Sequence, residues 1–482
     1  MRVTEKLEPG KVFAFFEEIC GIPHGSGNVE QISDYLVKFA QDRGLNYVQD
    51  EMKNVIIVKE AAPGYEEAAP IILQGHMDMV AVKKPGADID MQTDGLRLAI
   101  DGDYLYAEDT SLGGDDGIAV AYALAILDSD EIKHPRLEVI LTVDEEVGMD
   151  GARVLDVSML KGKRMLNLDS EEEGIILAGC AGGTRVDWML SIEREKKQGI
   201  VYEMSVKGLL GGHSGVEIDK ERGNANCLMG RLLYELSNGV EIGLANLEGG
   251  LADNAIPREA TATVVLQDQK AEMLFIEWAR GIEAEWKTEL QTKDPEVRVE
   301  LKKLGEQSLD CVEQTKARTL FAMLCGAPNG VQAMSADMKG LVETSLNMGV
   351  VRVEEHQICI QFSVRSSLES AKKGLIQKLE CLARMAGATQ EMRGDYPGWA
   401  YKKESPFRDM AVRVFREMYG KEPQIQAIHA GLECGFLQAK IPGLECVSIG
   451  PDMKDIHTTE EKLSISSTER VWKYVLEILK QK

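Results

Sequence analysis

Long hydrophobic runs are missing from this chain of 482 residues. No stretch of about 18 apolar residues occurs, which argues against a transmembrane helix. The first residues, MRVTEKLEPGKVFAFFEEIC, lack the basic start and uninterrupted apolar segment of a signal peptide and read instead as an amphipathic helix. Cysteine occurs nine times, an odd number, and never as CxxC, so neither a zinc ribbon nor a disulfide framework is expected. Reduced thiols in a cytoplasm fit this usage. Basic residues are also short, 55 Lys and Arg against 79 Asp and Glu, and the net charge of −24 disfavours nucleic acid or an anionic membrane as partner. The acidity keeps such a chain in solution and says nothing about substrate. Neither GxxxxGK[ST] nor a strand-linked GxGxxG is present, which removes the main support for a nucleotide site.

What is present is ordinary globular composition, 44% hydrophobic and 28% charged. The length exceeds one compact core and predicts at least two domains. The first part alternates amphipathic helices with short, almost continuously apolar strands: NVIIVKE, PIILQGHMDMV, LEVILTVDEE and KRMLNLDSE. Strands of this kind are buried on both faces, so an α/β domain with a mainly parallel sheet is expected. GIAVAYALAILDSD is the clearest helix between them. Beyond about residue 185 the texture changes to period-two alternation, as in IVYEMSVKG, EVRVELKKL and QICIQFSVRSS, interleaved with helices. Half-buried antiparallel strands read this way. The α/β texture resumes with FRDMAVRVFREMYG and ECVSIG. The expected organisation is therefore residues 1–185 plus 396–482 as one α/β domain, with 186–395 inserted as an α+β domain. The insertion has room for two ferredoxin-like lobes side by side.

Five potential metal ligands close apolar runs or lie in loops, in the order His76, Asp115, Glu146, Asp169, His457. Two imidazoles and three carboxylates are too few for two separate sites but suffice for two ions sharing a bridging carboxylate. In open α/β sheets functional groups gather at the carboxyl ends of strands, where His76, Glu145, Glu146 and Asp169 all fall. Asp78 lies two residues after His76, hence on the same strand face, where a carboxylate can orient a metal-binding imidazole. Within GGDDG, Asp115 can simply cap the helix beginning at Gly117, and capping is compatible with metal binding, since Asp116 can cap while Asp115 points into the crevice. The triplet Asp144, Glu145, Glu146 packs like charges at a strand end, which is costly without cations nearby. One of its glutamates can bind metal while its neighbour faces the attacking water.

HMD, GGDDG, DEEVG, the Asp169 segment, HSG and DIHTTEE together resemble the di-zinc peptidases that include glutamate carboxypeptidase, aminoacylase and the dipeptidases. ICGIPHGSGN, LEGGLADNAIPREA, GAPNGV, IHAGLECG and SIGPDMKDIHTTEE extend the resemblance, specifically to the aminoacyl-histidine dipeptidases, over nearly the whole chain. The resemblance implies one zinc held by His76, Asp115 and Asp169 and a second by Asp115, Glu146 and His457. It implies Glu145 as general base, Asp78 as orienting residue for His76, and His213 as the group that polarises the scissile carbonyl. Asn254 and Arg365 are implied as residues of the inserted domain that engage substrate. The glycines around Gly431 are expected to offer backbone N–H groups to a carboxylate terminus.

The activity so implied is hydrolysis of unblocked dipeptides, including Xaa-His substrates such as β-alanyl-histidine. Cleavage would use water activated by two Zn2+ ions, in a cytoplasmic monomer or homodimer. The nitrogen and oxygen donor set also accepts Co2+ or Mn2+. An N-acyl amino acid deacylase or carboxypeptidase on the same scaffold is the alternative enzyme, and the long insertion favours the dipeptidase. A non-catalytic zinc- or peptide-binding protein is the reading from another class; an intact Glu145 argues against it, because holding metal requires no base.

Overall fold

The computed structural model describes residues 2–482. The chain divides into two compact units, one running to Gly179 and including Trp399–Ala427 and Leu432–Lys482, the other comprising Cys180–Gly398 and Ile428–Gly431. The first unit is built on an eight-stranded sheet. Its four central strands, Leu137–Thr142, Ile71–His76, Arg164–Asn167 and Glu445–Ser448, run parallel. Toward one edge Val55–Lys59 and Asn46–Gln49 are added antiparallel. The continuous apolar runs are explained by this position: every residue of Ile71–His76 and of Leu137–Thr142 is buried.

The helix Gly114–Leu127 packs behind the sheet and is buried on all sides, as its uniformly apolar sequence requires. Its approach depends on Gly75. A Cβ at that position would lie 2.5 Å from Asp116 Oδ2 and 2.6 Å from Ala119 Cβ. Phe13, Phe16, Leu73, Tyr122, Val139 and Leu166 belong to the core of this unit.

The second unit has one nine-stranded sheet, antiparallel at every described pairing. Two strand sets run into one another where Ile242–Gly249 meets Val342–Val353, with Glu248 opposite Arg352 and Gly249 opposite Val351. Its core gathers Trp188, Phe275, Trp286, Phe321 and Phe362. The α/β class, with a mainly parallel sheet in one unit and an α+β arrangement in the other, is the fold this chain adopts.

A short four-stranded sheet had no clear signature in the sequence. Met453–Lys454 and Lys462–Ser464 pair antiparallel, and the second of them also pairs with Tyr104–Ala107. Residues 455–461 thereby become a hairpin loop anchored at both ends, and this loop carries His457.

Replacing Gly75 with Ala should destabilise the protein by about 1–3 kcal/mol through overpacking between strand and helix. Urea unfolding measures this. An unchanged midpoint would mean that the strand and the helix separate freely.

Candidate metal centre

Parallel register aligns the carboxyl ends of three strands. His76 is opposite Thr142, and Gln74 is opposite Asn167, so the residues following Thr142 and Asn167 emerge at the same edge as His76. At that edge His76 Nε2 lies 3.2 Å from Asp115 Oδ1 and 3.5 Å from Asp169 Oδ1. The other oxygen of Asp115, Oδ2, lies 3.1 Å from His457 Nε2, which is also 2.8 Å from Glu146 Oε1. Asp115 thus stands between two imidazoles and presents one oxygen to each.

Asp78 holds the centre from beneath. His76 Nδ1 is 2.9 Å from the Asp78 backbone carbonyl and 3.5 Å from its carboxylate, so the carbonyl is the nearer partner. The Asp78 carboxylate accepts from the Glu145 N–H at 3.1 Å, the Glu146 N–H at 3.4 Å and the Ser26 hydroxyl at 2.8 Å. It therefore fixes the backbone of the glutamate pair as well as lying beside the imidazole. Ser26 comes from the PHGSGN segment, which gives that early motif a physical task.

Asp116 does not cap the helix. The backbone departs from helical geometry at Asp115 and Asp116, so the regular helix begins at Gly117, and Asp116 Oδ2 accepts not a helix N–H but the backbone N–H of His76 at 3.2 Å. The free N–H groups of the loop are taken by Glu461, whose carboxylate accepts from Leu112, Gly113, Gly114 and Asp115. Glu461 was not singled out in the sequence, although its place four residues after His457 in a polar loop was visible there.

Charge in this cluster is unevenly shared. Burial pushes the Glu145 carboxyl well above the usual range; His76 opposes this, and Asp169, Glu433 and Glu146 add to it. Burial likewise raises Asp169, to about 6. Asp115 is held low despite its burial because it alone faces both imidazoles. Asp115 and Glu146 push His457 up to about 10. Burial would lower His76, yet its carboxylate partners raise it well above its ordinary value. The whole set therefore draws in positive charge.

That demand, and a donor set of imidazole and carboxylate without thiolate, fit a metal centre. Three groups have candidate ligand atoms within 4.8 Å of one another: His76, Asp116 and Asp169; His76, Glu145 and Glu146; and Asp115, Glu146 and His457.

A second layer lies below. Asn167 Nδ2 donates to Gln74 Oε1 at 2.6 Å, and Gln74 Nε2 donates to Glu433 Oε2 at 2.6 Å. The Thr142 hydroxyl donates to the same oxygen at 2.5 Å. Fully buried, Glu433 is pushed up to about 8. It belongs to the IHAGLECG segment and was likewise not singled out in the sequence.

The remaining sequence-derived residues lie in the second unit. His213 forms a short strand paired with Ala255–Ile256. Its Nδ1 accepts from the Gly215 and Val216 N–H groups at 3.2 and 3.3 Å, which leaves the ring N–H at Nε2. Gly212, His213, Glu217, Leu251 and Asn254 line one cavity of about 700 Å3. Arg365 is buried and donates to Tyr396 Oη at 2.9 Å. Gly431 ends a segment whose Ile428 and Ala430 carbonyls accept from the Ala181 N–H. In the same segment buried His429 lies 2.7 Å from Ser345 Oγ. Burial and the charge of Arg365 lower His429 to about 3.

Imidazoles and carboxylates collected at the carboxyl edge of a parallel sheet are the equipment of a metal-dependent hydrolase. The chain belongs to peptidase family M20/M25/M40, whose sequence profile matches residues 72–481. It is 37% identical over 483 aligned residues to the cytosol non-specific dipeptidase of Escherichia coli (strain K12), an alignment covering 100% of this chain and 99% of that protein. The crystal structure of aminoacylhistidine dipeptidase from Vibrio alginolyticus superposes with a TM-score of 0.91 at 37% identity, covering 99% of this chain and 98% of that one. Aminopeptidase PepT from Bacillus cereus shares the fold at 16% identity, with a TM-score of 0.56 and 98% of each chain covered. The family resemblance carried by the sequence motifs is thus met along the full chain. Among the described residues no helix is long and apolar enough to cross a membrane.

Glu433 provides a pH test. Its folded pKa is raised from 4.5 to about 8, so the stability linked to its proton is full below pH 4.5 and is lost as pH rises to about 8. In chelator-treated protein Glu433→Gln should therefore gain stability relative to wild type between pH 5 and pH 9, read by urea unfolding. A pH-independent difference would contradict a buried neutral carboxyl.

Proposed function

We propose that this protein is a dipeptidase that hydrolyses unblocked dipeptides, Xaa-His substrates such as β-alanyl-histidine among them, in the cytoplasm. The observation that carries the two-ion form of this reading is Asp115, whose two oxygens face His76 and His457 separately. On this reading His76, Asp115 and Asp169 hold one ion, and Asp115, Glu146 and His457 hold the other. Zinc is the first choice, with Co2+ or Mn2+ compatible with the same donors. Paired divalent cations, when bound, acidify a water and polarise the scissile carbonyl.

The protein's own groups supply the proton path. Glu145 accepts the proton of the attacking water at a carboxylate oxygen and delivers it to the leaving amine nitrogen. A carboxyl raised by burial and like charges is suited to both halves of that transfer, because it holds a proton readily once it has taken one. Asp78 keeps the Glu145 backbone in place through its N–H. His213, whose N–H is at Nε2, donates to the oxyanion that develops on the carbonyl. Arg365 and Asn254 engage the substrate, and the backbone around Gly431 receives its carboxylate.

Hydrolysis of dipeptides, N-acetylated dipeptides and tripeptides by metal-loaded protein tests the assignment. Dipeptides should be cleaved, and cleavage should stop with a chelator and return with Zn2+, Co2+ or Mn2+. Glu145→Gln should lower kcat by about 10²–10⁴-fold while elemental analysis finds its metal content unchanged. Turnover confined to acylated substrates would replace the reading with a deacylase. Bound metal without turnover of any substrate would make the chain a binding protein.

A further inference from the structure

Glu461 is 3% exposed, yet its carboxylate touches no cationic side chain described in the structure. Its partners are four successive backbone N–H groups. Oε2 accepts from Leu112 at 2.7 Å and Gly113 at 3.0 Å, and Oε1 accepts from Gly114 at 2.8 Å and Asp115 at 3.4 Å. Such convergence of backbone donors on one anion is a nest, and it needs a left-handed residue within it. Gly113 supplies that conformation, with φ +67°. Gly114 permits the close approach, since a Cβ there would sit 3.2 Å from Glu461 Oε1. The double glycine before Asp115 is thereby explained by a residue almost 350 positions later in the chain.

The location gives this bond its meaning. Glu461 ends the same hairpin loop that carries His457, and the nest ends at Asp115. One carboxylate therefore ties together the backbones of two side chains that face each other at 3.1 Å. Without it the Asp115 loop would leave four N–H groups buried and unpaired.

We infer that Glu461 is a positioning residue for the metal centre, setting Asp115 between His76 and His457 so that both its oxygens are presented to ions. The inference rests on the two-ion reading given above. It concerns metal affinity rather than the chemical step.

Co2+ titration of metal-stripped full-length protein, followed by d–d absorption and calorimetry, tests it. Glu461→Gln keeps the size but replaces one acceptor oxygen by an NH2 group aimed at N–H donors. Co2+ affinity should fall about 10- to 100-fold, the range for groups that orient metal ligands, and the absorption bands should change shape. Wild-type affinity and spectrum in this variant, whatever its Tm, would overturn the inference and leave Glu461 a stability residue only. Gly114→Ala keeps Glu461 but crowds its Oε1, and carries the test if Glu461→Gln does not fold. It should weaken Co2+ binding in the same direction and less steeply, and an unchanged affinity would overturn the inference. Wild-type stoichiometry separates the two ideas: one equivalent instead of two sinks the paired-ion reading, and both variants are then judged by the same criterion at that single site.

Discussion

Carboxylates collected out of water repel one another and lose solvation, and the first unit is organised around that cost. Asp115, Glu145, Glu146 and Asp169 converge on His76 at one edge of a sheet, where burial raises Glu145 and Asp169. Such a cluster persists in a fold only when positive charge is supplied. The imidazoles register the same demand, since His457 is pushed up to about 10 by Asp115 and Glu146. A centre of this kind is unstable by itself and favourable with cations, and this is the property a metallopeptidase requires.

Holding like charges together calls for backbone support, and the supports are specific. Asp78 binds the N–H groups of Glu145 and Glu146, so the loop carrying the glutamates cannot recede from His76. Asp116 takes the His76 N–H and links the strand to the helix behind it. Gly75 lets that helix lie against the strand, and Glu461 gathers the loop in front of it. Beneath, Glu433 joins Gln74 and Thr142, whose strands lead directly to His76 and to the glutamates. Glu433 and Glu461 come from the C-terminal third of the sequence, whereas Gln74, Thr142 and the Asp115 loop that they hold come from the first third, so these supports form only when the chain closes on itself.

Periodicity made the fold class readable. Strands buried on both faces must be apolar throughout, and Ile71–His76 and Leu137–Thr142 are. Half-buried strands must alternate, and the second unit does so along residues 298–302, where Val299 and Leu301 pack against the core and Arg298, Glu300 and Lys302 are exposed. Short elements escaped because two or three residues have no period. Met453–Lys454 and Lys462–Ser464 are strands only by virtue of pairing with each other and with Tyr104–Ala107. The expectation that Asp116 would cap the helix followed from local preference, and the backbone N–H of His76 on the neighbouring strand claims that carboxylate instead.

The sequence by itself determined the chemical inventory: a thiol-free set of imidazoles and carboxylates at strand ends, an α/β frame, and a change to antiparallel texture beyond residue 185. These are local properties, carried by side-chain type and spacing, and motif order was enough to point to the family. Tertiary structure decided which oxygen faces which imidazole, that the backbone carbonyl of Asp78 approaches His76 more closely than its carboxylate, and that Glu461 and Glu433 belong to the centre at all. Glu461 is joined to the Asp115 loop through backbone N–H groups, which every residue but proline carries, and Glu433 meets the side chains of Gln74 and Thr142 hundreds of residues earlier in the chain, so nothing local in the sequence could announce either relation before the chain was folded.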